Sequence, residues 1–400
     1  MPLLNDAIEM QPEIAGWRRQ LHMQPELLFD VQKTAGFVTE KLKSFGCDEV
    51  VTGIGRTGVV GLIKGRQGAE QTIGLRADMD ALPITEATGL SYASQIPGRM
   101  HACGHDGHTA MLLGAARQLC QTRNFAGSVA VIFQPAEEGG GGGHEMVKDG
   151  MMERFSIGQV YGMHNEPGLP VGQFGIREGA FLASMDTFSI LIKGKGGHAA
   201  MPHLAVDPIF IGAQIVTALQ GIASRNADPV EAVVVSITQF NGGEIHNVIS
   251  PTATLIGTVR TLNKAMRAMA RENLFRTVTG IATALGGVAE IDYGYLNGYP
   301  VTVNTPRETD MMVKVAKDVS GAGSVNRDYP PTMGCEDFAF MLERCPGAMI
   351  LIGNGDSAYV HNPEYDFADD AIPYGVSFWV RLAETTLAPN PVVPQGGALG

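Results

Sequence analysis

HTAMLLGAARQLCQTRNFAGSVAVIF, residues 108–133, is the stretch whose reading decides the fold. Residues 108–119 are apolar on nearly every face, so they predict a helix buried on all sides. Residues 128–133 form a short, unbroken apolar run, the pattern of a strand covered on both faces. Upstream, residues 59–63 and 72–75 are further short apolar runs, again strands. Helical spacing precedes them: Ile14, Trp17 and Leu21 from residue 12 onward, then residues 34–42 up to a turn at Gly46. Strands alternating with helices predict an α/β domain with a mostly parallel sheet and helices on both faces. In such sheets, ligands gather at the carboxyl ends of the strands.

The rhythm changes between residues 185 and 295. Strand at 187–192, helix at 208–222, strands at 232–239 and 253–261, helix at 264–284 and strand at 288–293 give the order βαββαβ. That order is the split βαβ pattern of a ferredoxin-like α+β unit. Because α/β features resume at 311–320 and 348–352, residues 185–295 are expected to be a domain inserted into a discontinuous first one, 1–184 and 296–400. The tail from Ala388, with three prolines and three glycines, has little to bury and is expected to fray.

Composition excludes several functional classes. The 29 Lys and Arg against 41 Asp and Glu leave a net charge of −12, which repels nucleic acid and anionic membranes. Asp6, Glu9 and Glu13 near the start are unlike a signal peptide, and no run approaches the ~20 apolar residues of a membrane span. Five cysteines in 400 residues are too few and too scattered for a disulfide framework, which points to the cytoplasm.

Candidate chemistry lies in the loops after the strands. Asp78 and Asp80 follow the run 72–75, spaced to share one face; alone, they would more often make a turn. His101-Ala-Cys103-Gly-His105-Asp-Gly-His108 packs thiol and imidazoles, the ligands of borderline-soft divalent metals, directly before a helix. Not every member need bind, and His108 can face the helix interior. Glu137 and Glu138 follow the strand at 128–133 and point in different directions, so one can hold a metal while the other serves as a base. The glycines 139–143 after them look like a flexible loop. His164, after a short strand at Val160, and His361, beyond Ile350, are lone strand-end histidines that together complete a pair of metal sites.

The motifs RADMDALP (76–83), HACGHDGH (101–108), PAEEGG (135–140), GMHNEP (162–167), GKGGHAAMPH (194–203), HNVI (246–249), GCEDF (334–338) and HNP (361–363) resemble the M20 metallopeptidase family. Within it they are most similar to the aminoacylase, hippurate hydrolase and auxin-conjugate amidohydrolase branch. The resemblance spans residues 12–385. It implies that Cys103, His105, Glu138, His164 and His361 ligate two divalent ions, with Cys103 bridging. Zinc suits this ligand set, as do manganese, cobalt and nickel. The resemblance further implies that Glu137 is the general base and that Asp80 orients a ligating histidine. His198, from the inserted domain, would reach the partner subunit's site and stabilise the oxyanion, so a homodimer is implied. Asn247 and Arg260 would bind substrate, with Arg260 clasping a carboxylate. Where most M20 peptidases carry His at position 78 and Asp at 103, this chain has Asp78 and Cys103, as in the aminoacylase branch. Cys335 stands where that branch suggests Ser, and Glu336 and Asp337 receive no role.

The expected activity is metal-dependent hydrolysis of N-acyl amino acids. The alternatives are a deacetylase of a biosynthetic intermediate, an N-carbamoyl amino-acid amidohydrolase, and a catalytically silent metal-binding assembly protein. Against the last stands Glu137, since a purely structural site has no use for a base.

Overall fold

The computed structural model describes residues 3–294 and 298–389, apart from the side chains of Ala69 and Glu70. The boundary expected at 295–296 and the tail from 390 lie outside the described residues. An eight-stranded sheet runs, edge to edge, Glu49–Ile54, Gly58–Lys64, Ala126–Gln134, Gln67–Asp78, Ile157–Glu166, Gly347–Gly353, Phe174–Gly175 and Val325–Asn326. Its four central strands, Ala126–Gln134 to Gly347–Gly353, are mutually parallel. Antiparallel pairings flank them on both sides.

Period-2 alternation splits each strand between two apolar layers. Val129, Val131 and Phe133 join the layer under the long helices Asn5–His22, Gln32–Phe45, His105–Thr122, Pro306–Ser320 and Ile372–Thr386. Ala130 and Ile132 join the other, covered by the short helices Gly142–Lys148, Met151–Arg154 and Ala339–Leu342. The helix of the opening stretch is buried over nearly its whole length, packed among the two N-terminal helices, the C-terminal helix and the sheet. It begins at His105, three residues earlier than its apolar run.

A second, four-stranded antiparallel sheet is ordered Val233–Gly242, Thr252–Thr261, Ser184–Lys193, Val288–Tyr293. This is the ferredoxin-like arrangement, with the helices Pro208–Gly221 and Lys264–Ala284 packed on it over a separate apolar core.

Two local expectations need correcting, and one strand goes unannounced in the sequence. The first helix already starts at Asn5 and accommodates Pro12. The strand Glu49–Ile54 has no apolar run to announce it, being an edge strand with mostly exposed or half-buried residues. Residues 139–143 are not a flexible loop, because Gly141, Gly142 and Gly143 are buried and the helix Gly142–Lys148 starts among them. A Cβ on Gly142 would sit 1.7 Å from the Pro135 carbonyl oxygen, so glycine is needed there for close packing.

Candidate metal centre

The carboxyl ends of the parallel strands bring together the five residues expected to be ligands. Cys103 and His105 flank the start of a helix, separated by Gly104 at φ +87°. A Cβ on Gly104 would meet Asn165 Nδ2 at 2.3 Å, so glycine lets this turn press against the strand Ile157–Glu166. Glu138 lies in the turn after Ala126–Gln134. His164 lies inside the strand Ile157–Glu166 rather than after it. His361 sits in a loop beyond Gly347–Gly353, and its amide donates to the Ala102 carbonyl at 2.7 Å, tying that loop to the cysteine.

The potential ligand atoms form two clusters that share Cys103: Cys103, His105 and His164, and Cys103, Glu138 and His361. Hydrogen bonds decide which imidazole nitrogens remain free. His105 Nδ1 donates to the Asp80 carbonyl at 2.8 Å and His164 Nδ1 to the Asn165 carbonyl at 2.6 Å, leaving both Nε2 lone pairs available. His164 Nε2 faces Cys103 Sγ at 3.3 Å. His105 Nε2 is buried and has no hydrogen-bond partner among the described residues. Glu138 Oε1, 3.4 Å from His361 Nε2 and 3.9 Å from His105 Nε2, is likewise unpartnered by hydrogen-bond geometry. Orphaned buried atoms facing a thiol and imidazoles fit a divalent cation. Burial and the charges of Glu138, Glu137 and Asp78 hold the Cys103 thiol well up, so it needs such a cation to become a thiolate.

The other two histidines of the 101–108 segment are excluded as ligands on different grounds. His108 uses both nitrogens: Nδ1 donates to Asp78 Oδ1 at 2.7 Å and Nε2 accepts from the Asn165 amide at 2.9 Å. His101 is buried, and burial holds it down at about 4, but it joins neither cluster.

Asp80 contacts both His105 and the Glu137–Glu138 turn. Its main-chain carbonyl holds His105, whereas its carboxylate, 3.6 Å from His105 Nδ1, accepts from the amides of Glu137 at 2.9 Å and Glu138 at 3.1 Å. It therefore orients the Glu137–Glu138 turn. Tyr299 clamps the same turn, donating to the Glu137 carbonyl at 2.7 Å and accepting from the amides of Gly139 and Gly141.

Beneath the turn lies a buried arginine. Arg76 contacts Asp78 at 2.7 Å, Glu336 at 2.8 Å and Asp337 at 3.2 Å, and its Nε donates to Gln134. Asp337 also accepts from the Gly143 amide at 2.7 Å. Burial, reinforced by Glu336, Glu138 and Asp337, pushes Glu137 well above the usual carboxylate range.

Glu137, Glu138, His164, His361, Arg260 and Tyr299 line one cavity of about 570 Å³. Arg260 reaches it from the four-stranded sheet and lies against Cys335. His198 and Asn247 do not line it. They sit together on the exposed face of the inserted unit, where Gly197–His198 pairs with Val248–Ile249 and the Asn247 carbonyl accepts from Ala199 at 3.0 Å.

With this geometry in place, comparison with known proteins places the chain. Residues 74–385 match the pattern of peptidase family M20/M25/M40. The chain is 41% identical to the hippurate hydrolase of Campylobacter jejuni over 383 residues, covering 96% of this chain and 99% of that one. It is 37% identical to an N-acetylcysteine deacetylase of Bacillus subtilis, covering 92% and 96%. A solved structure from Bacillus subtilis, described as a dinuclear metal-binding peptidase of the M20 family, superposes with a TM-score of 0.82 at 34% identity, covering 95% of this chain and 99% of that one. The matched span runs from within the strand Gln67–Asp78, through the four-stranded sheet, into the C-terminal helix Ile372–Thr386, and this chain belongs to peptidase family M20/M25/M40.

Proposed function

We infer that the chain hydrolyses the amide bond of N-acyl amino acids, releasing a carboxylic acid and a free amino acid. One divalent ion would be held by Cys103, His105 and His164, and a second by Cys103, Glu138 and His361. The observation that carries this is a pair of clusters sharing one cysteine, beside a buried glutamate that the hydrogen bonds leave free for proton transfer. When bound, the ions would supply Lewis acidity toward the scissile carbonyl and toward water.

The protein's own groups do the rest. Glu137, held by Asp80 and Tyr299, takes a proton from the attacking water and returns it to the leaving nitrogen. A carboxyl raised by burial is suited to holding that proton near neutral pH. Arg260, half-buried on the cavity wall, can clasp the substrate carboxylate through two parallel hydrogen bonds.

A homodimer supports the same chemistry. Met201, Leu204, Phe210, Phe240, Ile245 and Val248 are exposed on the inserted unit around His198, an apolar surface that a second copy would cover. His198 would then act in the partner's cavity. All five cysteines are free thiols, which suits a cytoplasmic, reducing setting.

The test is a panel of hippurate, N-acetyl, N-carbamoyl and dipeptide substrates, assayed before and after chelation and with metal content measured. N-acyl amino acids should turn over best, and chelation should abolish hydrolysis until a divalent ion is restored. Full activity in metal-free protein would end this account, and preference for N-carbamoyl or dipeptide substrates would redirect it.

A further inference from the structure

Glu166 is a carboxylate that neither the metal clusters nor the base requires. It ends the strand Ile157–Glu166 and stands two residues beyond His164, so alternation puts both side chains on the same face, about 6–7 Å apart along the strand. It lines the same cavity as Glu137 and Arg260. Its position is fixed through the main chain, whose carbonyl accepts from the Asn354 amide at 3.0 Å.

Its charge, by contrast, is left over. Tyr329 and Tyr359 both reach the same oxygen, Oε1, at 3.5 and 3.3 Å, long distances for hydroxyl donors. Oε2 receives no hydrogen bond from the described residues, and no Lys, Arg or His among them pairs with Glu166. Other acids around the centre are better matched: Asp78, Glu336 and Asp337 have Arg76, and Asp80 has two amides. A half-buried carboxylate facing a cavity that Tyr359 also lines is a receptor for a cation, because its charge favours an ammonium group and an aromatic neighbour adds to that preference.

We propose that Glu166, with Tyr359 beside it on the cavity wall, is a subsite for a primary ammonium group carried by the substrate. The spacing along the strand places that ammonium several bonds from the scissile amide. The proposal rests on the amidohydrolase function above and narrows its substrates to acyl amino acids bearing a basic group. That group can sit in either half of the substrate, and the two halves are separable by experiment.

Metal-loaded enzyme should be assayed on two matched pairs. The amine sits in the acyl half in 4-(aminomethyl)benzoyl-glycine against 4-ethylbenzoyl-glycine, and in the amino-acid half in Nα-benzoyl-ornithine against Nα-benzoyl-norleucine. In one pair the amine should exceed its neutral partner in kcat/KM by about 10-fold or more, the scale of a charged hydrogen bond. Glu166→Gln should bring that ratio close to one, and Glu166→Lys should take it below one. A merely structural role would lower both members of the pair together. No amine preference in either pair, or a preference that survives Glu166→Gln, overturns the subsite. If no acyl amino acid turns over at all, the amidohydrolase function fails instead. Calorimetric binding of the same amines then judges the subsite, with weaker binding to Glu166→Gln supporting it and equal binding overturning it.

Discussion

Replacing Asp80 by Asn separates two jobs that a single carboxylate could do beside a metal centre. In the structure its oxygens accept from the Glu137 amide at 2.9 Å and the Glu138 amide at 3.1 Å, while His105 is held by the Asp80 carbonyl instead. Asparagine keeps the carbonyl and the volume but offers one acceptor oxygen, so one amide loses its partner and meets an NH₂ group. A hydrogen bond to a buried charged group contributes about 1.5–3 kcal/mol. If the loss falls on the placement of the base, this converts to a decrease of about 10- to 100-fold in kcat. His105 keeps its Nδ1 partner, so the ion set of Cys103, His105 and His164 should persist. The assay is kcat and KM on hippurate together with elemental analysis of metal per subunit. A lowered kcat with at least one ion retained is expected. Unchanged kcat, or loss of both ions, would refute the assignment of the carboxylate to the Glu137–Glu138 turn.

Three further outcomes follow from the same geometry. Glu137→Gln should retain metal and lose at least about 10²-fold in turnover, whereas Glu138→Ala should lose metal; equal metal loss in both would reverse the roles. Arg260→Lys should lower kcat/KM on N-acyl amino acids by roughly 10- to 100-fold and barely alter the slow reaction of the matching amides, read by comparing acid and amide of one substrate. Mixing His198→Ala with Glu137→Gln protein under subunit exchange should regenerate activity, because one hybrid cavity carries both intact residues; none despite proven exchange would place His198 elsewhere.

The inserted unit is legible because its six elements alternate in period, and amphipathic strands and helices of that length leave few other arrangements. The candidate ligands Cys103, His105 and Glu138 are legible because thiol, imidazole and carboxylate crowd into short motifs, whereas His164 and His361 stand alone and join the set only through the family resemblance. Burial defeats the rest. Tyr299 and Asn165 look like ordinary core or turn residues until their partners, distant in sequence, are known. One signal is present: Arg76 directly follows the apolar run at 72–75, and an arginine in a strand buried on both faces must have acidic partners. Glu336 and Asp337 were the unassigned acids available to supply them. The His108 assignment needed geometry, since only the hydrogen bonds to Asp78 and Asn165 show both its nitrogens engaged.

The charges explain why the centre takes this layered form. Asp78, Asp80, Glu137, Glu336 and Asp337 are buried, and isolated charges at such depth would be driven to neutralise. The inner layer has its own cation, because Arg76 reaches Asp78, Glu336 and Asp337. The outer layer, Cys103 and Glu138, has imidazoles but no arginine or lysine among the described residues within ion-pair distance. Ions are needed there to complete it. Glu137 stands between the layers, pushed up by burial and by acids on both sides, while its backbone is pinned by Asp80 and Tyr299. A carboxylate with a pinned backbone and a raised proton affinity is suited to take a proton and return it, and this chain raises that affinity by burying Glu137 beside the charges of Glu336, Glu138 and Asp337.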